Sequence, residues 1–339
     1  MLLYDTVNIW IDSIDTPTGK PFDVSGYFDD VPKFTVRQDG TIENIIGHIR
    51  NYSVVLYPNG ILLKGSLPKL LKQSNIYFLT IEEAKQAIEY LSDSLHVDIA
   101  KGIIKCLHIA GNIQTNYKPT VYYPFLGEKE GFFRNLKYLK MGTLYYDQQL
   151  KRPTMQMYFY DKTKELQDKE KVIPPEFLDV NLLRYEVRLN KPQKNLKLPE
   201  TPRVKLLWER DFSIKSVELW RQQYGSINKI NPKSNEYGNN NNLISIFMNN
   251  TKKYKRPADM ATAILLQLLQ QLGGGQSAVD MYMAGLKAMN YYQNPSQYTR
   301  ERARVKRILA AQTTIDNKND LITELETKIN DFADKAIAI

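Results

Sequence analysis

Alternation of hydrophobic and polar positions indicates short strands through the first two thirds of the chain. In the segment MQMYFY at residues 155–160, the methionines and the phenylalanine fall on one side of a strand, and Tyr158 and Tyr160 fall on the other. The segment LLRYEVRL at residues 182–189 alternates in the same way and places two arginines and a glutamate on one face. Each strand therefore joins a face suited to a hydrophobic core with a face that carries polar groups.

Other segments of this region predict an antiparallel sheet with flanking helices. The expected elements are strands at residues 7–11 and 103–113, a hairpin at residues 53–65 and a helix from about residue 213 to residue 224. The hairpin turns at Asn59-Gly60, a pair that favours tight turns. Thr80 and Glu83 have the spacing of a capping box, so a helix is expected to begin there. This mixture predicts an α+β domain with a mainly antiparallel sheet.

The pattern changes after residue 224. Residues 225–256 are rich in asparagine and lysine and show little periodicity, which is typical of a linker. From Pro257 onward the spacing becomes helical, with helices expected at about 258–272, 277–290, 296–313 and 318–336. The last of these carries an apolar stripe from Leu321 to Ala336, which must be buried against neighbouring helices or a second copy of the chain. We therefore expect a domain at 1–224, a basic linker at 225–256 and an all-α domain at 257–339.

The charge of the chain is concentrated in one block. The 339 residues include 46 Lys and Arg against 37 Asp and Glu, a net charge of +9. Between Arg184 and Arg256 there are 16 basic and 6 acidic residues, so this block holds essentially all of the excess. Aromatic residues such as Trp208 and Tyr254 alternate with the basic ones, a combination that favours phosphate contact and base stacking. Trp220, on an amphipathic helix, is instead expected to be a core residue.

Several classes of protein do not fit the sequence. A single cysteine excludes a disulfide framework and a zinc cluster of the CxxC type. The glycines at 273–275 follow no strand and lack the lysine of a nucleotide-binding loop. The longest apolar stretch, residues 261–272, includes glutamines and is too short to span a bilayer. Because the first ten residues resemble a strand rather than a signal peptide, we expect a cytoplasmic protein without a membrane partner.

Tyr160 is a candidate nucleophile at the end of its strand. The pKa of a phenol is about 10 in model peptides, so a tyrosine attacks at neutral pH only when a cation or a base assists it. Asp161 is expected to cap the following helix, and Lys162 and Lys164 in its first turn could supply that cation. Tyr158, on the same face, is the competing nucleophile.

Arg184, Glu186 and Arg188 form the polar face of the strand at residues 182–189. Two guanidinium groups beside a carboxylate suit a phosphate together with a metal ion or a proton in transfer. The same pattern also describes a solvated strand face with ion pairs, and the sequence alone leaves both interpretations open.

Four segments together resemble rolling-circle replication initiators. Tyr160, Lys162 and Glu165 match the Y-x-K-x-x-E motif of that family, and the strand at 182–189 matches its R-x-E-x-R motif. The segment ILLKGSLPKLLKQSN at 61–75 resembles the K-x-S-x-x-K stretch, and IIKCLHIAGNI at 103–113 resembles the R-h-D-h-A strand. The resemblance is to the filamentous-phage gene II type and the single-stranded phage and plasmid initiators of Bacteroidetes bacteria, and more distantly to staphylococcal plasmid initiators. It runs in order over roughly the first 190 to 225 residues.

The resemblance implies a fold and an activity. The fold would be that of the HUH endonucleases, and Tyr160 would nick and rejoin single-stranded origin DNA through a 5′-phosphotyrosine, which starts rolling-circle replication. The implied catalytic residues are Tyr160, Lys162, Lys164 and Glu186. The implied DNA-binding residues are Arg184, Arg188, Lys64 and Lys69. The basic block adds four further candidates for DNA binding, Lys252, Lys253, Lys255 and Arg256. Expected partners are single-stranded or supercoiled origin DNA, the host helicase and replication machinery of a bacterial cell, and a second copy of the chain.

The chain departs from the family at the strand of residues 103–113. Cys106 and His108 stand where the family usually has Arg and Asp, and the acidic residue of the family lies near the metal ion. Because histidine is itself a metal ligand, His108 and Glu186 are the expected ligands of a divalent ion, Mg²⁺ or Mn²⁺. On spacing alone His108 is equally a hydrogen-bonded core residue. The departure also keeps open a non-catalytic single-stranded DNA-binding protein on the same scaffold, and an RNA-binding or structural phage protein.

Overall fold

Ten strands form one sheet in the computed structural model, which describes residues 1–135, 142–229, 258–259, 261–262, 265–266, 278–289, 291–292, 294–312 and 318–338. The strands are β1 (Tyr4–Asp12), β2 (Lys33–Val36), β3 (Ile42–Ile49), β4 (Tyr52–Tyr57), β5 (Gly60–Ser66), β6 (Ile103–Gln114), β7 (Phe132–Asn135), β8 (Thr143–Gln148), β9 (Met155–Asp161) and β10 (Leu182–Leu189). Their order is β2-β3-β4-β5-β1-β6-β10-β9-β8-β7, and each described pairing is antiparallel. The predicted α+β class with an antiparallel sheet is confirmed.

Of the described α-helices, three lie between strands in the chain and the others follow the last strand. They are α1 (Leu67–Lys72), α2 (Ile81–Leu95), α3 (Lys162–Asp168), α4 (Pro192–Asn195), α5 (Arg210–Gly225), α6 (Ala278–Ala288), α7 (Pro295–Gln312) and α8 (Lys318–Ile337). The capping box forms as predicted, since Thr80 Oγ1 accepts the N–H of Glu83 at 3.1 Å and the Glu83 carboxylate accepts the N–H of Thr80 at 2.8 Å. The predicted hairpin also forms, but because Tyr57 pairs with Gly60, its turn is Pro58-Asn59, one residue before the predicted Asn59-Gly60.

One face of the central strands is packed with aromatic side chains. The Tyr185 ring stacks on Phe159 of β9 with centroids 4.5 Å apart, and it lies 4.8 Å from the Trp220 ring of α5. The Trp220 indole N–H donates to the Tyr185 carbonyl at 3.1 Å, which satisfies the one polar atom of a fully buried side chain. Trp220 is therefore the core residue that its helix predicted.

The end of α8 packs against the same aromatic face. The Phe332 ring lies 5.9 Å from the Trp220 ring and 5.3 Å from Phe78. Gly111 of β6 allows this packing, because a Cβ atom there would lie 2.7 Å from Trp220 and 2.9 Å from Phe332. The predicted apolar stripe is thus buried within this chain along part of its length.

The described chain divides into two compact units. One comprises Met1–Tyr123, Gly127–Asn228 and Leu325–Ile339, and the other comprises Pro124–Leu126 and Lys229–Glu324. The second unit has its own apolar cluster, formed by Leu266, Val279, Met283 and Val305. Residues 230–256 of the predicted linker, the glycines at 273–275 and most of the helix predicted at 258–272 lie outside the described residues. None of the described helices combines the length and the apolar character that crossing a membrane requires.

Candidate active site

Arg184 lies at the centre of a buried polar network on the other face of the sheet. Strand register places it between Asn112 of β6 and Tyr160 of β9. Its Nη2 group pairs with Asp5, and its Nη1 group donates to Asn112 Oδ1 at 3.0 Å and to the Asn75 carbonyl at 2.9 Å. Arg184 is only 1% exposed and Glu186 only 2%. The alternative of a solvated strand face is therefore wrong for these two residues.

Asp5 and Asn75 complete the surroundings of this guanidinium. The Asp5 carboxylate accepts the Ser66 hydroxyl at 2.5 Å and the Asn75 amide at 3.0 Å, in addition to Arg184. Both residues, and Asn112 with them, are buried. A buried charge requires a partner, so these polar side chains are what makes a buried arginine stable. Sequence reasoning placed Asn112 on the strand face of His108 but assigned neither Asp5 nor Asn75 to the site, although Asp5 is a lone charge inside the apolar stretch MLLYDTVNIW.

Glu186 connects Arg184 to the open part of the site. Its Oε1 atom accepts Arg188 Nε at 2.7 Å and lies 2.9 Å from His108 Nδ1, while its Oε2 atom lies 3.6 Å from Arg184 Nε. Burial would raise the pKa of Glu186, but the hydrogen bond with His108 and the charges of Arg188 and Arg184 outweigh it and hold the pKa well below its ordinary value. Glu186 is therefore an ionised acceptor at neutral pH.

Tyr160 presents its hydroxyl to this acceptor. The hydroxyl donates to Glu186 Oε2 at 3.2 Å, and the side chain is half-buried at the end of β9. Burial raises the pKa of Tyr160 well above its ordinary value; the Arg184 charge opposes this, while the nearby carboxylates add to it. The residue is thus a neutral phenol that needs a proton acceptor in order to react, and the carboxylate that contacts it is the nearest one.

Lys162 is buried directly beneath this region. Asp161 caps α3 as predicted, since its carboxylate accepts the Lys164 N–H at 3.0 Å. The Lys162 ammonium donates to Asn75 Oδ1 at 2.8 Å and to Glu165 Oε2 at 2.7 Å. Burial, with the neighbouring Arg184 charge, lowers the pKa of Lys162 to about 8. The structure thus brings Lys162 into the predicted site, whereas the side chain of Lys164 is exposed.

His108 lies next to Glu186, as expected of two ligands of one metal ion, with Nδ1 2.9 Å from Oε1. Burial lowers the pKa of His108, yet hydrogen bonds with Cys106 and Glu186 outweigh this and raise it to about 9. A metal ion bound at this imidazole would therefore have to displace a proton. Across the part of the chain that the structure describes, no three His, Cys, Asp or Glu side chains are grouped to hold a metal ion.

A stacked column of side chains borders the network. The Arg188 guanidinium lies 3.8 Å above the centre of the Tyr158 ring, and that ring stacks on Tyr145 of β8 with centroids 5.0 Å apart. The Tyr145 hydroxyl donates to Asp147 at 3.1 Å. Tyr146 instead points into the core and donates to the Gly127 carbonyl at 2.8 Å. Tyr158 therefore contacts an arginine, whereas Tyr160 contacts a carboxylate.

The remaining predicted DNA-binding residues lie on the surface or outside the described residues. Lys64 and Lys69 are exposed, on β5 and α1 respectively. Ser66, which stands between them in the same motif, turns inward and bonds to Asp5. Lys252, Lys253, Lys255 and Arg256 lie outside the described residues.

Comparison with known proteins finds a similarity to a solved structure. No protein-family model matches the chain, and no curated protein sequence matches it. The chain is similar to the structure of a rolling circle replication initiator protein from Geobacillus stearothermophilus, with a TM-score of 0.36 and 11% identity. The similarity covers 69% of this chain and 88% of that chain. A similarity this weak says nothing about the chemistry of the site.

Proposed function

We propose that the protein nicks and rejoins single-stranded DNA through a covalent 5′-phosphotyrosine on Tyr160 and thereby starts rolling-circle replication. The convergence of the four motif segments carries the proposal. Ser66, His108, Tyr160 and Glu186 come from four separate segments, and each contributes a side chain to one connected set of hydrogen bonds and ion pairs around Arg184. Solvated surface residues have no reason to converge in this way.

The proposed step uses the side chains of this chain alone. The Tyr160 oxygen attacks a phosphodiester phosphorus and the bond from phosphorus to the 3′ oxygen breaks. The phenolic proton passes to Glu186 Oε2 as the new bond forms, because bonding to phosphorus makes that proton strongly acidic. The released 3′ oxygen takes a proton from water and becomes the primer end. Arg188, the more exposed of the two arginines, offsets charge on the phosphate. Rejoining is the reverse reaction.

No step is assigned to a divalent ion. His108 and Glu186 would be the protein's ligands, but they contact each other and Glu186 also contacts Arg188. A requirement for Mg²⁺ or Mn²⁺ remains a prediction, as do the roles of Lys164 and of the basic residues at 252–256. Origin DNA, the host helicase and the replication machinery of a bacterial cytoplasm are the partners that the proposed reaction would need.

A non-catalytic single-stranded DNA-binding protein is the second candidate. The observation that favours it is the burial of Tyr160, which raises the pKa of the phenol and disfavours the phenolate that attacks phosphorus. Both candidates predict binding to single-stranded DNA, but only the first predicts a covalent product.

A labelling experiment separates the two candidates. The protein is incubated with a random-sequence pool of single-stranded oligonucleotides labelled at the 3′ end, with Mg²⁺, with Mn²⁺ or with a chelator, and then denatured. A 5′-phosphotyrosine retains the 3′ fragment, so the label should migrate with the protein, whereas a 5′ label should be released. Tyr160→Phe should abolish this signal, while Tyr57→Phe, in β4 of the distant half of the sheet, should retain it. DNA binding without covalent label under all three conditions would favour the non-catalytic candidate.

A further inference from the structure

Two contacts fix the position of the Arg188 guanidinium, and a third supports one of them. Its Nε atom donates to Glu186 Oε1 at 2.7 Å, and its Cζ atom lies over the Tyr158 ring, 3.8 Å from the ring centre. The Tyr158 ring is in turn stacked on Tyr145. Cation–π contact and stacking both favour this arrangement. The arginine is therefore held along one edge and across one face before any ligand arrives.

The opposite edge of this guanidinium remains accessible. Arg188 is 32% exposed, whereas Arg184 is 1% exposed and uses its terminal nitrogens on Asp5, Asn75 and Asn112. Among the described contacts, the Arg188 hydrogen bond is made by Nε, so its two terminal amino groups stay available as donors. Two parallel N–H donors on one edge match the oxygens of a phosphate.

Tyr158 and Tyr160 share one face of β9, two residues apart, which is about 6.6 Å along a strand. The Arg188 Nε group and the Tyr160 hydroxyl also contact the two oxygens of one carboxylate, that of Glu186. A long arginine side chain loses rotamer freedom when it binds a ligand, which weakens binding. Because the Tyr158 ring already holds Arg188 in place, most of this entropy is lost before the ligand binds.

Resting on the proposed function, we propose that Tyr158 is a positioning residue whose ring holds Arg188 against the DNA phosphodiester that Tyr160 attacks. Its hydroxyl takes no part. Tyr158 then differs in role from Tyr160 although the two residues look alike in the sequence.

The test measures affinity for a labelled oligothymidine at several salt concentrations, in a Tyr160→Phe background so that no covalent product forms. Arg188→Met should weaken binding about tenfold, the effect of losing one charge-assisted contact. It should also reduce the slope of log affinity against log salt by about 0.7, the share of one phosphate on single-stranded DNA. Tyr158→Leu should reproduce both effects, and Tyr158→Phe should stay within about twofold of the parent because the ring remains.

Three further variants keep the test decisive. Phe133→Leu removes an exposed aromatic ring from the same sheet face without touching Arg188, and its affinity should be unchanged. Arg188→Lys retains the charge but loses the planar fork, so it should bind about as weakly as Arg188→Met; this arm applies even if Tyr158→Leu does not fold. Tyr158→Leu combined with Arg188→Met should bind no more weakly than Arg188→Met alone.

Three results would overturn the inference: wild-type affinity in Arg188→Met or Arg188→Lys, wild-type affinity in folded Tyr158→Leu, or a loss in Tyr158→Phe as large as in Tyr158→Leu. Failure of the proposed function would look different. In that case the predicted binding pattern holds, and the protein with its native Tyr160 still forms no covalent product.

Discussion

The two faces of strand β10 are stabilised in opposite ways. On one face Tyr185 packs between Phe159 and Trp220, and any well-shaped apolar group could in principle fill such a space. On the other face Arg184 is stable only because specific oxygen atoms on three distant segments surround it. The alternating sequence LLRYEVRL predicts the two faces equally well, but it does not indicate whether the polar one is solvated or buried. The polar face should therefore be the less tolerant of substitution.

Arg184→Met should give the largest loss of stability. The variant leaves the carboxylates of Asp5 and Glu186 buried without their shared cation, which costs about 3 to 5 kcal/mol for a buried ion pair that loses one partner. Urea unfolding measures the change. Lys85→Met, which breaks an exposed pair with Glu89, is the control and should cost less than about 1 kcal/mol. Similar small losses in both variants would show that the polar face is not more demanding than ordinary surface.

Gly111→Ala tests the apolar face. The added methyl group would lie 2.7 Å from Trp220 and 2.9 Å from Phe332, so the rings must shift, at a cost of about 1 to 3 kcal/mol. Gly225→Ala, where nothing lies within 4 Å of the added atom, is the matched control and should be close to neutral. A neutral Gly111→Ala would mean that the packing of α8 on the sheet is loose.

The buried Lys162 should make the stability of the protein depend on pH. Its pKa is about 8 in the folded protein and has an ordinary value of 10.5, so between these values the unfolded chain binds more protons. The free energy of unfolding of the wild type should therefore rise with pH relative to Lys162→Met, by about 1.5 kcal/mol from pH 8 to pH 9.5. Unfolding both proteins at four pH values measures the difference. A difference that does not change with pH would place the ammonium in water instead of in the network.

Thr80→Ala should give the smallest loss of stability of these substitutions. Because Thr80 lies on neither face of β10, it serves as a reference for both. It removes the capping hydrogen bond to the Glu83 N–H, which is worth about 1 kcal/mol. The substitution Thr18→Ala, in an exposed loop, should change the midpoint of urea unfolding less. An equal effect of both would mean that the capping box adds nothing measurable to α2.

Local sequence signals predicted the parts of the fold that depend on neighbouring residues. The capping box at Thr80 and the hairpin near Asn59 each need only a few adjacent positions, and both form, although the hairpin turns at Pro58-Asn59, one residue before the predicted pair. Alternation predicted strands β9 and β10, because the period of two is a property of the strand itself. The same holds for the apolar stripe of α8, although the identity of its partners, Trp220 and Gly111, follows only from the tertiary structure.

The candidate site was predictable only in part, because its centre depends on the order of strands in the sheet. Tyr160, Lys162 and Glu186 were named from their motifs, and the structure brings them into one network. Asp5 and Asn75 lie far from Arg184 in sequence and reach it because β1 and the segment after α1 fold beside β6 and β10. No pattern within a single segment could indicate those contacts.

Mapping the covalent bond tests the central claim most directly. After reaction with single-stranded DNA and digestion by nuclease and protease, mass spectrometry of the peptides identifies the residue that keeps a nucleotide. We predict a nucleotide joined through its 5′ phosphate to Tyr160, with Tyr158 and Tyr145 unmodified. A nucleotide on Tyr158, or no modified tyrosine in a protein that demonstrably binds DNA, would contradict the assignment of Tyr160 and Glu186 as the reacting pair.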